Sequence, residues 1–141
     1  MGFQRAIKIF RHILKDTEKY QTDRVAAGDV ASQADEKAGR NRGAIGAVFD
    51  DLKTFIRMIK AWAGGRYRAP WKTMAWIIAG VVYFVSPIDA IPDFIPFIGL
   101  MDDAFVITLV MRGVRKDVAR FRDWEDGGTF DPELPPVAAH S

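Results

Sequence analysis

The chain contains no cysteine and only two histidines, His12 and His140, placed near opposite ends. A disulfide framework, a thiolate nucleophile and a cysteine zinc site are therefore excluded, and the lack of Cys fits a reducing compartment. The opening residues are not expected to act as a cleaved signal peptide either. "MGFQRAIKIFRHILK" interleaves charges where a signal peptide needs an unbroken apolar run, and no small-residue cleavage site follows. Gly2 does not open a myristoylation signal, because Ala6 stands where Ser or Thr is required. The most informative absence is of one sign of charge: no basic residue occurs between Lys72 and Arg112.

What is present suits one folded domain. The 141 residues are 49% apolar and 27% charged, enough hydrophobic material for a core and too much for disorder throughout. The net charge of +2 hides strong segregation: +4 over 1–15, −1 over 16–44, +4 over 45–72, −4 over 73–111, +4 over 112–122 and −5 over 123–141.

Phe3, Ala6, Ile7, Phe10, Ile13, Leu14 and Thr17 recur at helical spacing with Arg5, Lys8, Arg11, His12 and Lys15 between them, so 1–20 reads as a basic amphipathic helix. Over 21–44 the apolar content falls to alanines and a few valines interrupted by Gly28, Gly39 and Gly43, which predicts a polar linker or a weak helix. Val48, Leu52, Phe55, Ile59 and Trp62 then step at helical intervals and predict a helix over 45–63, stopped by Gly64-Gly65. On that pattern a charge at Phe55 is destabilising and one at Thr54 is tolerated.

"WKTMAWIIAGVVYFV" shows no polar face after Thr73, so this helix must be buried on all sides, in protein or in lipid. It spans roughly 22 Å against the roughly 30 Å of a hydrocarbon core, a marginal crossing by itself. Pro87, Pro92, Pro96 and Gly99 read as turn-forming, and a last helix is expected over about 102–122. The tail 126–141, rich in Gly, Pro and acid, is expected to be disordered. The two apolar helices then fold back as a hairpin over 71–111. Asp89, Asp93, Asp102 and Asp103 sit near its tip, and Arg66, Arg68, Lys72, Arg112, Arg115 and Lys116 at its base.

In a bilayer that polarity has a direct cause, since basic flanks are retained on the cytoplasmic side. Trp62, Tyr67 and Trp71 fit an interfacial aromatic belt, with Arg66, Arg68, Lys72, Arg112, Arg115 and Lys116 reaching anionic head groups. An aspartate at mid-bilayer costs roughly 2.5 to 3.5 kcal/mol. The four must therefore reach the far interface, or the hairpin dips in part way, or the unit is a soluble core whose tip is wet. Apolar runs of this length also form the central helices of soluble bundles.

Tyr83, Ser86, Pro87, Asp89, Ile91, Pro92, Asp93, Ile95, Pro96, Gly99, Asp102 and Asp103 resemble the signature of the YkvA-like family, a bacterial domain of unknown function. The likeness runs from around 70 to 112; Ala90 departs from it, where the family more often carries a larger aliphatic residue. It implies a small helical, membrane-associated protein without an established activity, and adds no chemistry.

The aspartates have a local explanation in helix ends. Ser86 with Asp89 resembles a capping box around Pro87, Asp93 serves the turn after Pro92, and Asp102 and Asp103 complement the dipole of the last helix. A hard-cation site, a pairing with arginines of the N-terminal region or of a second subunit, and a carboxylate pair working as acid and base are the sharper alternatives. None is supported by spacing alone, so no metal ligand, cofactor or catalytic residue is assigned. Nucleic-acid binding through 112–122 lacks a recognised fold.

The sequence thus points to an all-α bundle with an amphipathic N-terminal helix, a domain over 45–125 whose apolar hairpin, 71–111, is expected to be embedded in the membrane, and a loose tail. The expected function is a non-enzymatic module of the bacterial cytoplasmic membrane with both termini cytoplasmic, contacting lipid head groups, a protein partner or itself. The alternative is a soluble helical protein with an aspartate-cluster cation site.

Overall fold

The computed structural model describes residues 2–43, 46–85 and 96–127, with 2, 3, 5, 47 and 96–103 by their backbone alone. Its elements in chain order are α1 (Gly2–Asp16), α2 (Glu18–Thr22), α3 (Arg24–Arg40), a 3-10 turn (Gly46–Val48), α4 (Phe49–Ala63), α5 (Trp71–Val85) and α6 (Pro96–Glu125). No strand occurs among the described residues, so the chain is all-α.

A helix with no polar face belongs where neighbours cover every side, and α5 holds that place. Helices α1, α3, α4 and α6 all pack on it. Met74, Ile77, Ile78, Ala79, Val81, Tyr83 and Phe84 are buried within that ring. Protein therefore supplies much of the cover that the hairpin reading assigned to lipid, with Trp76, Val82 and Val85 half-buried. No described helix is long and apolar enough to cross a membrane. Helices α5 and α6 do lie together as anticipated. Gly80 allows the approach, since a Cβ there would come within 3.1 Å of Val110 Cγ2.

The largest departure from expectation is α3. The segment read as a linker or weak helix forms a regular 17-residue helix. Asp23 caps it, accepting from the Ala26 amide at 3.0 Å. Its inner face is the alanine stripe Ala27, Ala31, Ala34 and Ala38, each 0% exposed. Small side chains bury little area apiece, which is why the sequence reads as polar, but they let backbones approach closely. Both ends of α3 then serve its neighbours. Arg24 donates to Trp62 O at 3.1 Å near the C-terminus of α4, and Lys37 donates to Phe84 O at 2.5 Å near the C-terminus of α5.

Helix α4 starts with Asp50 and Asp51 in its first turn and ends at Gly64, close to the predicted bounds. Gly65 adopts φ +75, the left-handed turn that favours glycine, and turns the chain toward α5. One detail of this face is corrected. Thr54 is only 2% exposed, and its hydroxyl donates to Asp50 O while accepting from Arg57 and Arg122. A charge at Thr54 therefore meets a packed site bordered by two guanidinium groups. Arg57 also grips Glu125 through two hydrogen bonds of 2.7 and 3.2 Å, tying α4 to the far end of α6.

Helix α6 begins six residues earlier than the expected start near 102. Pro96 is its first residue, a position where proline is preorganised and its missing N–H costs nothing. Gly99 lies inside the helix. Neither residue is a turn-former of the connection. Val114 departs from helical dihedrals (φ −118, ψ 15) directly after Gly113 and kinks α6 between its apolar and cationic halves.

Candidate functional site

The cations expected at the base of the hairpin are at the surface. Arg66, Arg68, Lys72, Arg112, Arg115 and Lys116 are all exposed. The aromatic residues grouped with them are not. Tyr67 is 3% exposed and packs edge-on to Phe121 with ring centroids 5.0 Å apart, and Trp124 lies at the same distance. Trp62 is buried, and Trp71 is half-buried against it at 5.7 Å. The anticipated interfacial belt is an internal aromatic wall that closes the bundle at this end, because amphipathic rings bury their area in protein as readily as in head groups.

Around the kink, α6 carries an open groove of about 730 Å³ lined by Arg112, Arg115, Lys116, Asp117 and Arg120. Its one acid is occupied within the fold: Asp117 accepts from the buried Thr73 hydroxyl of α5 and pairs with Arg120 at 3.2 Å. Arg112, Arg115 and Lys116 have no carboxylate partner among the described residues.

Helix α1 extends this cationic side. It packs on both α5 and α6, with Phe10 set 5.3 Å from Trp76 of α5. Gly113 of α6 faces the same ring, since a Cβ on it would lie 3.8 Å from Trp76 Cε3. The three helices thus meet at Trp76, and α1 exposes Lys8, Arg11 and Lys15 on a helix packed against α6. The α3 and α4 pair differs. There Asp35 of α3 accepts from Lys53 of α4 and lies 3.8 Å from Lys60. The Lys53 hydrogen bond and charge, with Lys60 adding attraction, hold the Asp35 carboxyl below the usual carboxylate range against an opposing effect of burial.

The signature residues fare differently. Ser86, Pro87, Asp89, Pro92 and Asp93 lie outside the described residues. Asp102 and Asp103 fall within α6, beyond its first turn, so they do not open the helix or complement its N-terminal dipole. Among the described residues no group of three or more His, Cys, Asp or Glu side chains could hold a metal ion. The Thr73–Asp117 tie and the Trp76 junction were not anticipated; Gly113, a lone glycine amid a cationic helix, was the one signal for the junction.

Residues 73–109 match the family described as Protein of unknown function (DUF1232). A relative from Bacillus subtilis (strain 168), described as an uncharacterized membrane protein YkvA, is 35% identical over 74 residues, which cover 52% of this chain and 70% of the relative. The chain belongs to the DUF1232 family. No solved structure matches it. The DUF1232 segment takes in nearly all of α5 and the first half of α6. The family match therefore falls on the central helix and its partner, whereas the cations of α1 and of 112–122 lie outside the matched residues.

Proposed function

We propose that this protein is a non-enzymatic module that docks, as a folded bundle, on the cytoplasmic face of the bacterial cytoplasmic membrane. The cations of α1 and of the far half of α6 meet anionic head groups, and both termini stay in the cytoplasm. One observation carries the reading: Lys8, Arg11 and Lys15 of α1 and Arg112, Arg115 and Lys116 of α6, two helices that pack on each other, are exposed without carboxylate partners among the described residues. Uncompensated cations at a surface are attracted to an anionic leaflet and lose that attraction beyond a Debye length. The description of the Bacillus subtilis relative as a membrane protein supports a membrane location. Docking through a surface also agrees with the cover that α1, α3, α4 and α6 give the buried residues of α5.

Co-sedimentation with vesicles tests this. Each Lys or Arg near an anionic surface contributes about 1 kcal/mol, so replacing Arg112, Arg115 and Lys116 together by Gln should weaken binding to phosphatidylglycerol vesicles about 100-fold. Binding to phosphatidylcholine should be negligible. Equal binding to both lipids, or a triple variant that binds like the parent, overturns the reading.

A further inference from the structure

Helix α1 is held unlike the other long helices. Arg24 and Lys37 tie α3 to α4 and α5, Arg57 ties α4 to α6, and Thr73 ties α5 to α6. Among the described residues no hydrogen bond or ion pair joins a side chain of α1 to another helix; its polar contacts stay local, as in His12 to Asp16 at 3.8 Å. Its attachment is apolar. Ala6 and Phe10 are buried, and Ile9, Ile13 and Leu14 are half-buried against the core. A single residue, Thr17, separates α1 from α2, and its hydroxyl donates back to Leu14 O at 2.7 Å.

Apolar contact has no direction, so the acyl boundary of a bilayer can replace it, whereas it cannot replace a buried hydrogen bond. Helix α1 also has the makeup of an interfacial helix, a basic outer face over an apolar inner one. We propose that α1 is a releasable strap. On an anionic bilayer it swings out about Thr17, exchanges α5 and α6 for the acyl boundary, and uncovers Trp76. This step rests on the docking reading above and adds its regulation. In the exchange α1 keeps its own apolar burial while the face around Trp76 loses cover, so charge must supply the difference: Lys8, Arg11 and Lys15 come closer to the head groups when the helix lies flat in the interface than when it is held on the bundle. A surface shifts an equilibrium only by its differential affinity for the two states, and this is where the difference arises. Lipid charge and salt therefore set the position of the strap.

The absence of cysteine makes the test clean. Gln4→Cys on α1 and Ala119→Cys on α6, both at exposed uncharged positions, take nitroxide labels for a distance measurement by pulsed electron resonance. A single narrow distance population is expected in buffer and with phosphatidylcholine vesicles. Phosphatidylglycerol vesicles should shift it to a longer, broader one, with amide exchange in α3 and α4 of the unlabelled chain unchanged. Sedimentation with phosphatidylglycerol at an unaltered distance overturns the strap and leaves docking intact. A long distance already present in buffer overturns the strap as well. Failure to sediment with phosphatidylglycerol overturns both proposals.

Discussion

The two sides of α5 are covered by different means. On one side α3 presents four fully buried alanines, closes two helix ends with Arg24 and Lys37, and pairs Asp35 with lysines of α4. On the other side α1 lies over Trp76 through apolar side chains, with no polar tie to another helix among the described residues, and exposes Lys8, Arg11 and Lys15. Helix α3 has a net charge of zero and α1 of +3. The difference teaches where specificity and adaptability are placed. Directional hydrogen bonds and close backbones fix one geometry, while a greasy contact beneath a charged surface tolerates exchange for another apolar phase.

Truncations on the two sides should separate them most strongly. Phe55 is fully buried on α4, and Phe55→Ala should cost about 3 to 5 kcal/mol of global stability in urea unfolding. Phe10 is buried almost as completely, yet Phe10→Ala should lower the global midpoint less, because a released α1 leaves the rest of the bundle standing. Equal losses would show that α1 is an integral part of the cooperative unit.

A smaller effect, distinguished by sign, is expected at Thr54. Arg57 and Arg122 donate to its hydroxyl at 3.3 and 3.2 Å. Thr54→Lys places a third cation among them and should destabilise by about 3 kcal/mol, the scale of an uncompensated buried charge. Thr54→Asp gains two guanidinium partners and should cost much less. Equal penalties in thermal unfolding would mean that steric fit, not charge, governs this position.

The smallest effect belongs to Asp35. Its carboxyl titrates lower in the folded than in the unfolded state. Its contribution is therefore full above the unfolded value of about 3.9 and is lost as pH falls through the lower folded value. Asp35 and Lys53 are both partly exposed, so the contribution stays below about 1 kcal/mol and shrinks with salt. Asp35→Asn should flatten the acid limb of stability against pH at low salt and have little effect at high salt.

What the sequence disclosed follows from how each element is buried. Helix α4 shows large side chains at helical intervals, so both its existence and its bounds were legible. The same signal identified α1 as amphipathic, although not that its apolar face is taken by α5 and α6. Helix α3 was hidden because alanine carries almost no periodic contrast; its packing depends on smallness, which hydropathy does not register. The early start of α6 was hidden by Pro96 and Gly99, residues that signal a turn unless tertiary contacts extend the helix across them. Trp62, Tyr67 and Trp71 were misplaced for a related reason, since a ring suited to a membrane interface is equally suited to an internal wall. The exposed cations at the hairpin base were legible from the charge gap alone. The meeting of α1, α5 and α6 at Trp76 required the fold.

The most direct test of docking in place of embedding is fractionation of bacteria expressing the chain, with the membrane pellet washed in high salt and alkaline carbonate. The protein should accompany the membranes at low salt and leave them in the wash. Retention until detergent is added would contradict a surface-docked bundle and restore the embedded hairpin, and absence from the pellet at low salt would contradict membrane docking itself.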